Sequence, residues 1–400
     1  MNILFVCHRV PFPPKRGGKI RPFNIIRHLG SQGHQVTVAS LARNAAELEE
    51  SSGLSGHCHK VLVEVVPDHV AWPRMIVWLP TAAPSSFGYF HSGRLRQRIE
   101  AELSRTRYDL VFVHCSSVAP YVESLAGPVK ILDYGDVDSQ KWREYSGHRS
   151  FPLSTGYWLE AVKLERRERL LSESFDLCTC TTRAELESLQ ALGVTTPSDW
   201  FPNGVDAEFF APDGTDYEAD LVCFVGRMDY YPNQQGVQGF CRDVLPALRQ
   251  RRPGTRFMIV GADPPEKIRR LAELPGVEVT GSVPDVRSFV RRAALTVAPL
   301  DIARGTQNKI LESMALGVPV VCSPQASGGV DAVAGEHLLV ADEPETWVEQ
   351  VAGLMTDPQR RRRFAEAGRN RVLQHHSWPA SMARLDRLID GAFRQKRRAA

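Results

Sequence analysis

The run from Arg304 to Val321 (RGTQNKILESMALGVPVV) combines a glycine-containing loop with the start of a helix expected from about Thr306 to Leu316. A helix start leaves backbone amides unpaired and favours an anion such as phosphate. Lys309 and Glu312 are three positions apart and share one helix face. A cation for phosphate and a carboxylate for a diol then sit about one turn apart; the alternative is a surface ion pair. Arg304, Gly305, Thr306 and Asn308 flank the same start.

Other polar clusters also follow apolar runs. Gly226 and Arg227 come directly after Asp220 to Val225, where an arginine can grip a diphosphate with two parallel hydrogen bonds. Pro13 to Gly18 follows the first apolar run, and Gly17 and Gly18 let a ligand approach the backbone before a helix begins. This loop is not G-x-G-x-x-G, which disfavours a nicotinamide site. His114 ends the run DLVFVH, placed to bond a sugar hydroxyl or move a proton. Asp133, Asp136 and Asp138 crowd the next loop, where they suit hydroxyls or a metal, or leave Asp138 as a helix N-cap.

The elements that must position these residues alternate in type. Asn2 to Cys7, Gln35 to Leu41, Lys60 to Val66, Asp109 to His114, Val129 to Asp133 and Asp176 to Thr181 read as short β-branched strands. A helix is expected over about Lys19 to Leu29. The pattern restarts with strands at Asp220 to Val225, Arg256 to Gly261, Val277 to Thr280, Leu295 to Pro299 and Val318 to Cys322. Helices are expected at Asn233 to Gln250 and Pro284 to Arg292, and a last one at about Ser377 to Arg394. Such alternation predicts an α/β fold of two doubly wound, Rossmann-like parallel-sheet domains, with polar residues at the carboxyl ends of strands. The Pro/Gly/Asn/Asp-rich join at Phe201 to Thr215 divides them into residues 1–205 and 206–376, with residues 377–400 as a final helix and basic tail.

Composition narrows the function classes. The chain has 400 residues, 43% apolar and 24% charged, with a net charge of +3. That suits two sizeable cores and argues against disorder or a dedicated nucleic-acid binder. The longest apolar stretch, near Val70 to Pro80, is broken by Pro73 and Arg74 and falls short of a membrane span of roughly 20 residues. No secretory leader is expected at Met1 to Cys7. The eight cysteines show neither a disulfide framework nor zinc spacing, which predicts a reduced, cytoplasmic protein.

The blocks Asn203-Gly204-Val205-Asp206, Gly226-Arg227 and Leu311-Glu312-Ser313-Met314-Ala315-x-Gly317-x-Pro319, with Gly17-Gly18 and His114, resemble the GT-B glycosyltransferases of family 4, group 1. Within them the chain is most similar to the PEP-CTERM/EpsH-associated exopolysaccharide sugar transferases. The resemblance implies two domains facing a cleft, a last helix returning to the N-terminal domain, and retaining transfer without a metal or bound cofactor. The donor would be a UDP- or GDP-linked sugar and the acceptor a glycan or polyprenyl-linked glycan. Donor contacts fall to Gly17, Gly18, Gly226, Arg227, Arg304, Gly305, Thr306, Asn308, Lys309 and Glu312, and the acceptor side to His114 and Asp136. His114, Arg227, Lys309 and Glu312 would carry catalysis. Glu312 matches the second Glu of the family's E-x7-E motif. Arg304 stands where the first would be, and Pro232 and Asn233 stand where the family has a phosphate-binding Lys. Those departures leave room for a silent scaffold or a nucleotide-sugar epimerase. Arg94, Arg96, Arg98, Arg105 and Arg107, with the apolar stretch Trp72 to Leu79, suggest docking on the anionic inner face of a plasma membrane; the alternative is a solvated basic face and a buried helix.

Overall fold

Thirteen strands assemble into two separate parallel sheets, one in each half of the computed structural model, which describes residues 1–14 and 17–399. In the first half they are β1 (Asn2–Cys7), β2 (Gln35–Ala42), β3 (Lys60–Val65), β4 (Leu110–His114), β5 (Val129–Gly135), β6 (Leu177–Cys180) and β7 (Ser198–Trp200), in the order β3-β2-β1-β4-β5-β6-β7. In the second they are β8 (Glu218–Val225), β9 (Arg256–Val260), β10 (Val277–Gly281), β11 (Ala293–Ala298), β12 (Val320–Cys322) and β13 (Leu339–Val340), in the order β10-β9-β8-β11-β12-β13. Both are doubly wound: the strand order reverses between β1 and β4 in one sheet and between β8 and β11 in the other. Ligands bind outside strand ends at such points.

The chain divides into two compact units. Unit 1 is Met1–Phe201 with Met382–Ala400, and unit 2 is Pro202–Ser381. The helix Trp378–Ala399 therefore starts in unit 2 and finishes in unit 1. There Lys396 bonds Asp176 at 2.9 Å, Arg384 bonds Asp199 at 2.9 Å, and Asp386 meets His28 at 2.8 Å.

Continuous apolar runs explain the central strands. All of β4 is buried, as a strand covered on both faces must be. Phe5 on β1 stacks on its register partner Phe112 with centroids 5.2 Å apart. Fully burying each such ring stabilises the fold by about 1.5–3 kcal/mol. All eight cysteines are free; Cys58 and Cys115 are half-buried and the others buried.

Several expected boundaries move. The helix expected from Thr306 begins at Asn308, because Gly305 sits at φ 64° and Gln307 is still non-helical at ψ 82°. The helix expected over Asn233 to Gln250 spans Tyr231–Gly239, a π turn at Phe240–Val244, and Leu245–Arg251. Asp138 is the first residue of its helix rather than the cap, which is Val137.

The apolar stretch before the arginine-rich segment is not a buried helix. Asp68–Trp78 buries only Ala71 and exposes Trp72, Ile76 and Val77. Lys163, from the helix Leu153–Ser172, donates to Leu79 O at 2.6 Å. That second helix exposes Trp158, Leu159 and Val162. Of the arginines, Arg98 is paired with Glu64 at 2.8 Å, while Arg105 and Arg107 lie past the helix end at Leu103. Among the described residues, no helix is long and apolar enough to cross a membrane.

Candidate functional site

The unit 2 site forms where β8 and β11 end. Gly226 and Arg227 follow β8, and the loop after β11 leads through Gly305 into the helix Asn308–Ala315. That helix start has no side-chain cap. The Thr306 hydroxyl is buried without a hydrogen-bond partner. The Gln307 side chain turns back to donate to Arg304 O at 3.1 Å and so does not cap the helix. Gly261 matters here as well: a Cβ on it would stand 1.7 Å from Gly226 O, so only glycine lets the two loops touch.

Lys309 Nζ donates to Asn233 Oδ1 at 2.6 Å and stands 4.7 Å from the Phe224 ring centroid. Asn233 is buried and its Nδ2 donates to Arg227 O at 2.7 Å. Asn233 therefore ties the Gly226-Arg227 turn to the lysine 76 residues away. Lys309 and Glu312 are both half-buried, unlike a solvated surface pair. Burial pulls the Lys309 ammonium down to about 7, with the Glu312 charge opposing it. Burial likewise pushes the Glu312 carboxyl up to about 7, against the pull of Lys309. Each loses solvation that the other only partly replaces.

Arg227 is held by carboxylates. It donates to Asp229 at 3.0 and 2.6 Å and to Asp263 at 2.6 Å. Asp263, at φ 56°, escaped the sequence reading because it lies 36 residues away with no motif around it. All three side chains are exposed. Any anion approaching this guanidinium would compete with both carboxylates.

The unit 1 site forms at the matching place. His114 ends β4 and is buried, and its Nδ1 meets Asp133 Oδ2 at 2.7 Å. Asp133 ends up wholly buried, accepting also from Arg21 at 2.8 and 2.9 Å and from Thr179 at 2.9 Å. Burial works to raise its carboxyl, but the Arg21 charge and hydrogen bonds, joined by His114, win and hold it well below the usual range. An ionised carboxylate only accepts, so His114 Nδ1 is the donor in this hydrogen bond. Arg21 itself is buried, bonds Phe201 O at 2.9 Å and lies 3.6 Å over the Phe201 ring.

The remaining expected residues are less concentrated. Asp136 is half-buried in unit 1 and accepts from Thr181 at 3.1 Å. Gly17 and Gly18 open the helix Gly17–Ser31, and a Cβ on Gly18 would meet no atom within 4 Å. Lys15 and Arg16 of the same loop lie outside the described residues. The Asn203-Gly204-Val205-Asp206 block packs on the segment before the last helix. Val205 N donates to His376 O at 2.7 Å, and a Cβ on Gly204 would stand 2.5 Å from Trp378.

Comparison with known proteins follows the same division. The family model for Glycosyltransferase Family 4 matches residues 16–209, and that for Glycosyl transferases group 1 matches residues 219–357. The chain is 28% identical over 242 residues to a GDP-mannose-dependent alpha-(1-6)-phosphatidylinositol monomannoside mannosyltransferase of Mycolicibacterium smegmatis, covering 52% of this chain and 60% of that one. It is 28% identical over 225 residues to a D-inositol 3-phosphate glycosyltransferase of Segniliparus rotundus, covering 50% and 49%. The match thus spans less than two thirds of either relative's length. Among solved structures, sucrose-phosphate synthase of Thermosynechococcus elongatus superposes with TM-score 0.73 at 17% identity over the whole of both chains. HepE of Anabaena in complex with UDP gives 0.69 at 14%, over 98% of this chain and all of that one. The likeness is in fold: two Rossmann-like parallel-sheet domains of the GT-B kind.

Proposed function

We propose that this chain, which belongs to the group 1, family 4 glycosyltransferases, moves a sugar from a nucleoside-diphosphate sugar to a glycan or polyprenyl-linked acceptor. The observation that carries this reading is the start of the Asn308–Ala315 helix: uncapped, beside an unpartnered Thr306 hydroxyl and the half-buried Lys309. Each of these groups gains from a phosphate oxygen, Lys309 because Glu312 and Asn233 only partly replace its lost solvation. As the glycosidic bond breaks, charge builds on the leaving diphosphate. Lys309, Arg227 and the helix amides stabilise that charge without a metal. Removing one such donor typically costs roughly 10²–10³ in kcat. Glu312 meets the ribose, and the His114 Nε2 lone pair accepts from a sugar hydroxyl. Asp136 belongs to the acceptor side.

Retention follows from same-face attack in this reading. Asp133, the carboxylate against His114, is fully committed to Arg21, His114 and Thr179, which disqualifies it as a covalent nucleophile. A role in exopolysaccharide synthesis at the cytoplasmic face of a membrane fits the exposed apolar faces of Asp68–Trp78 and Leu153–Ser172, which suit peripheral contact with lipid.

Thermal shift with UDP, GDP and their glucose and mannose conjugates tests the core of the proposal. A ligand at 100 times its Kd adds about 2.7 kcal/mol of apparent stability. We expect one nucleotide to raise Tm in the wild type and to lose that effect in Lys309→Ala. An unmoved Tm with every nucleotide, together with no transfer or donor hydrolysis, would remove the proposed activity.

A further inference from the structure

The unit 1 site holds a constellation of which the proposed transfer uses only His114. β1 and β4 are neighbours, and Cys7 pairs with His114 across them. The residues that follow those two, His8 and Cys115, come out of the sheet side by side. One ring nitrogen of His8, one of His114 and the Cys115 sulfur all lie within 4.8 Å of one another. The two imidazoles stand 5.9 Å apart, centroid to centroid. His8 Nδ1 is buried with no hydrogen-bond partner. His114 has Asp133 against its Nδ1 at 2.7 Å, which leaves Nε2 as its other ring nitrogen. A carboxylate in that position fixes an imidazole and strengthens it as a metal ligand.

We propose that His8, His114 and Cys115 form a site for a zinc-class divalent cation, and that occupying it inhibits transfer by taking the His114 lone pair. The inhibition rests on the reading of His114 given above; the binding does not. Two imidazoles and a thiolate suit Zn²⁺, whereas Mg²⁺ and Ca²⁺ take oxygen ligands. Zn–N near ~2.0–2.1 Å and Zn–S near ~2.3 Å put tetrahedral ligand atoms roughly 3.3–3.6 Å apart. The three groups must therefore close by at most about 1 Å, and three protein ligands leave the fourth tetrahedral position to water. On binding, the Cys115 thiol proton leaves to solvent as the S–Zn bond forms, and nothing is oxidised or reduced. The surrounding charge is mixed. Asp138, Asp133 and Asp136 act on Cys115, while Arg9, Lys141 and Arg43 act on His8. Burial above all, and then those carboxylates, hold the Cys115 thiol protonated, so the S–Zn bond itself must drive its ionisation.

The test uses the full chain after chelation, titrated with Zn²⁺ by calorimetry and with Co²⁺ by absorption spectroscopy. We expect one equivalent of Zn²⁺ and, with Co²⁺, a thiolate charge-transfer band with tetrahedral ligand-field bands. His8→Ala and Cys115→Ala should each weaken Zn²⁺ binding at least 10-fold, and Cys115→Ala should abolish the charge-transfer band. Cys58→Ala, which removes the other half-buried thiol, should bind like wild type. Undiminished binding in Cys115→Ala, or a Co²⁺ spectrum without a thiolate band, would overturn the site. Melting curves without metal show whether each variant is folded. In transfer assays Zn²⁺ should inhibit the wild type and spare Cys115→Ala. Zinc bound through Cys115 with full transfer retained would keep the metal site but overturn the inhibition, and with it the role of His114 against the sugar.

Discussion

The two units place their sites at the same topological position and equip them in opposite ways. In unit 1, Asp133 and Arg21 satisfy each other at the heart of the strand ends, and His114 is held against the same carboxylate. In unit 2, a lysine and a glutamate share a half-buried helix face at a cost in solvation, and a hydroxyl beside them has no partner. The first, the Arg21–Asp133–His114 network, is held together without a ligand. The second is incomplete without a ligand and is suited to one that comes and goes. The difference predicts that substitutions in unit 1 show up as stability and those in unit 2 as binding and rate.

The largest effect expected is in unit 1. Asp133→Ala leaves Arg21 charged and buried, and breaking such a pair costs about 3–5 kcal/mol. Denaturant unfolding should show that loss; a variant as stable as wild type would erase the contrast. Lys309→Met should do the reverse. It removes an ammonium that burial already disfavours, so the free protein should melt no lower than wild type, while kcat falls roughly 10²–10³-fold. A Tm drop of several degrees in Lys309→Met without nucleotide would count against the division. Thr306→Val is smaller. With no protein partner to lose, stability should hold or rise, and nucleotide Kd should weaken about 3–10-fold, the range of one hydrogen bond. Asp263→Asn is smaller still. It frees Arg227 from one exposed carboxylate, and nucleotide Kd should tighten by no more than about 5-fold, since such pairs are worth ~0–1 kcal/mol.

The pH dependence sharpens the same comparison. Asp133 is held below its usual range, so its contribution is present above the unfolded value near ~3.9 and is lost as pH falls through its folded value. Lys309 drops from 10.5 to about 7, so between those values the unfolded chain carries more protons and stability rises with pH. Glu312 rises from 4.5 to about 7, so over that window the folded chain carries more protons and stability falls with rising pH. The lysine and glutamate together should give the ligand-free protein a shallow stability minimum near pH 7, absent from Lys309→Met. Bound diphosphate favours the ammonium, so nucleotide binding above that pH should take up a proton, measurable by calorimetry in buffers of different ionisation enthalpy.

The fold was largely legible because most of β1, most of β4 and the Leu221 to Val225 part of β8 are near-continuous apolar runs, as strands covered on both faces have. β7 and β13 were missed: three and two residues carry no period. His114 and Lys309 were legible because each follows a recognisable element. Their partners were not. Arg21 meets Asp133 across 112 residues and Asn233 meets Lys309 across 76, and nothing local in the sequence marks either pairing. Asn233 entered the sequence reading as the start of an expected helix and as a departure from a motif. In the structure it is the residue that joins the Arg227 turn to the lysine.

One pairing described above bears on how such a protein can be rebuilt. The chain passes into unit 2 at Pro202 and leaves it at Ser381, and the Ser381 hydroxyl donates to Pro202 O while Val205 bridges Ser377. Unit 2 is thus one uninterrupted stretch whose two ends are fastened to each other. A cassette of that kind can be exchanged between homologous chains with both seams in one small patch, and its ends can be joined and reopened elsewhere as a circular permutant. If donor choice resides in residues 202–381, grafting that stretch should carry the donor preference with it.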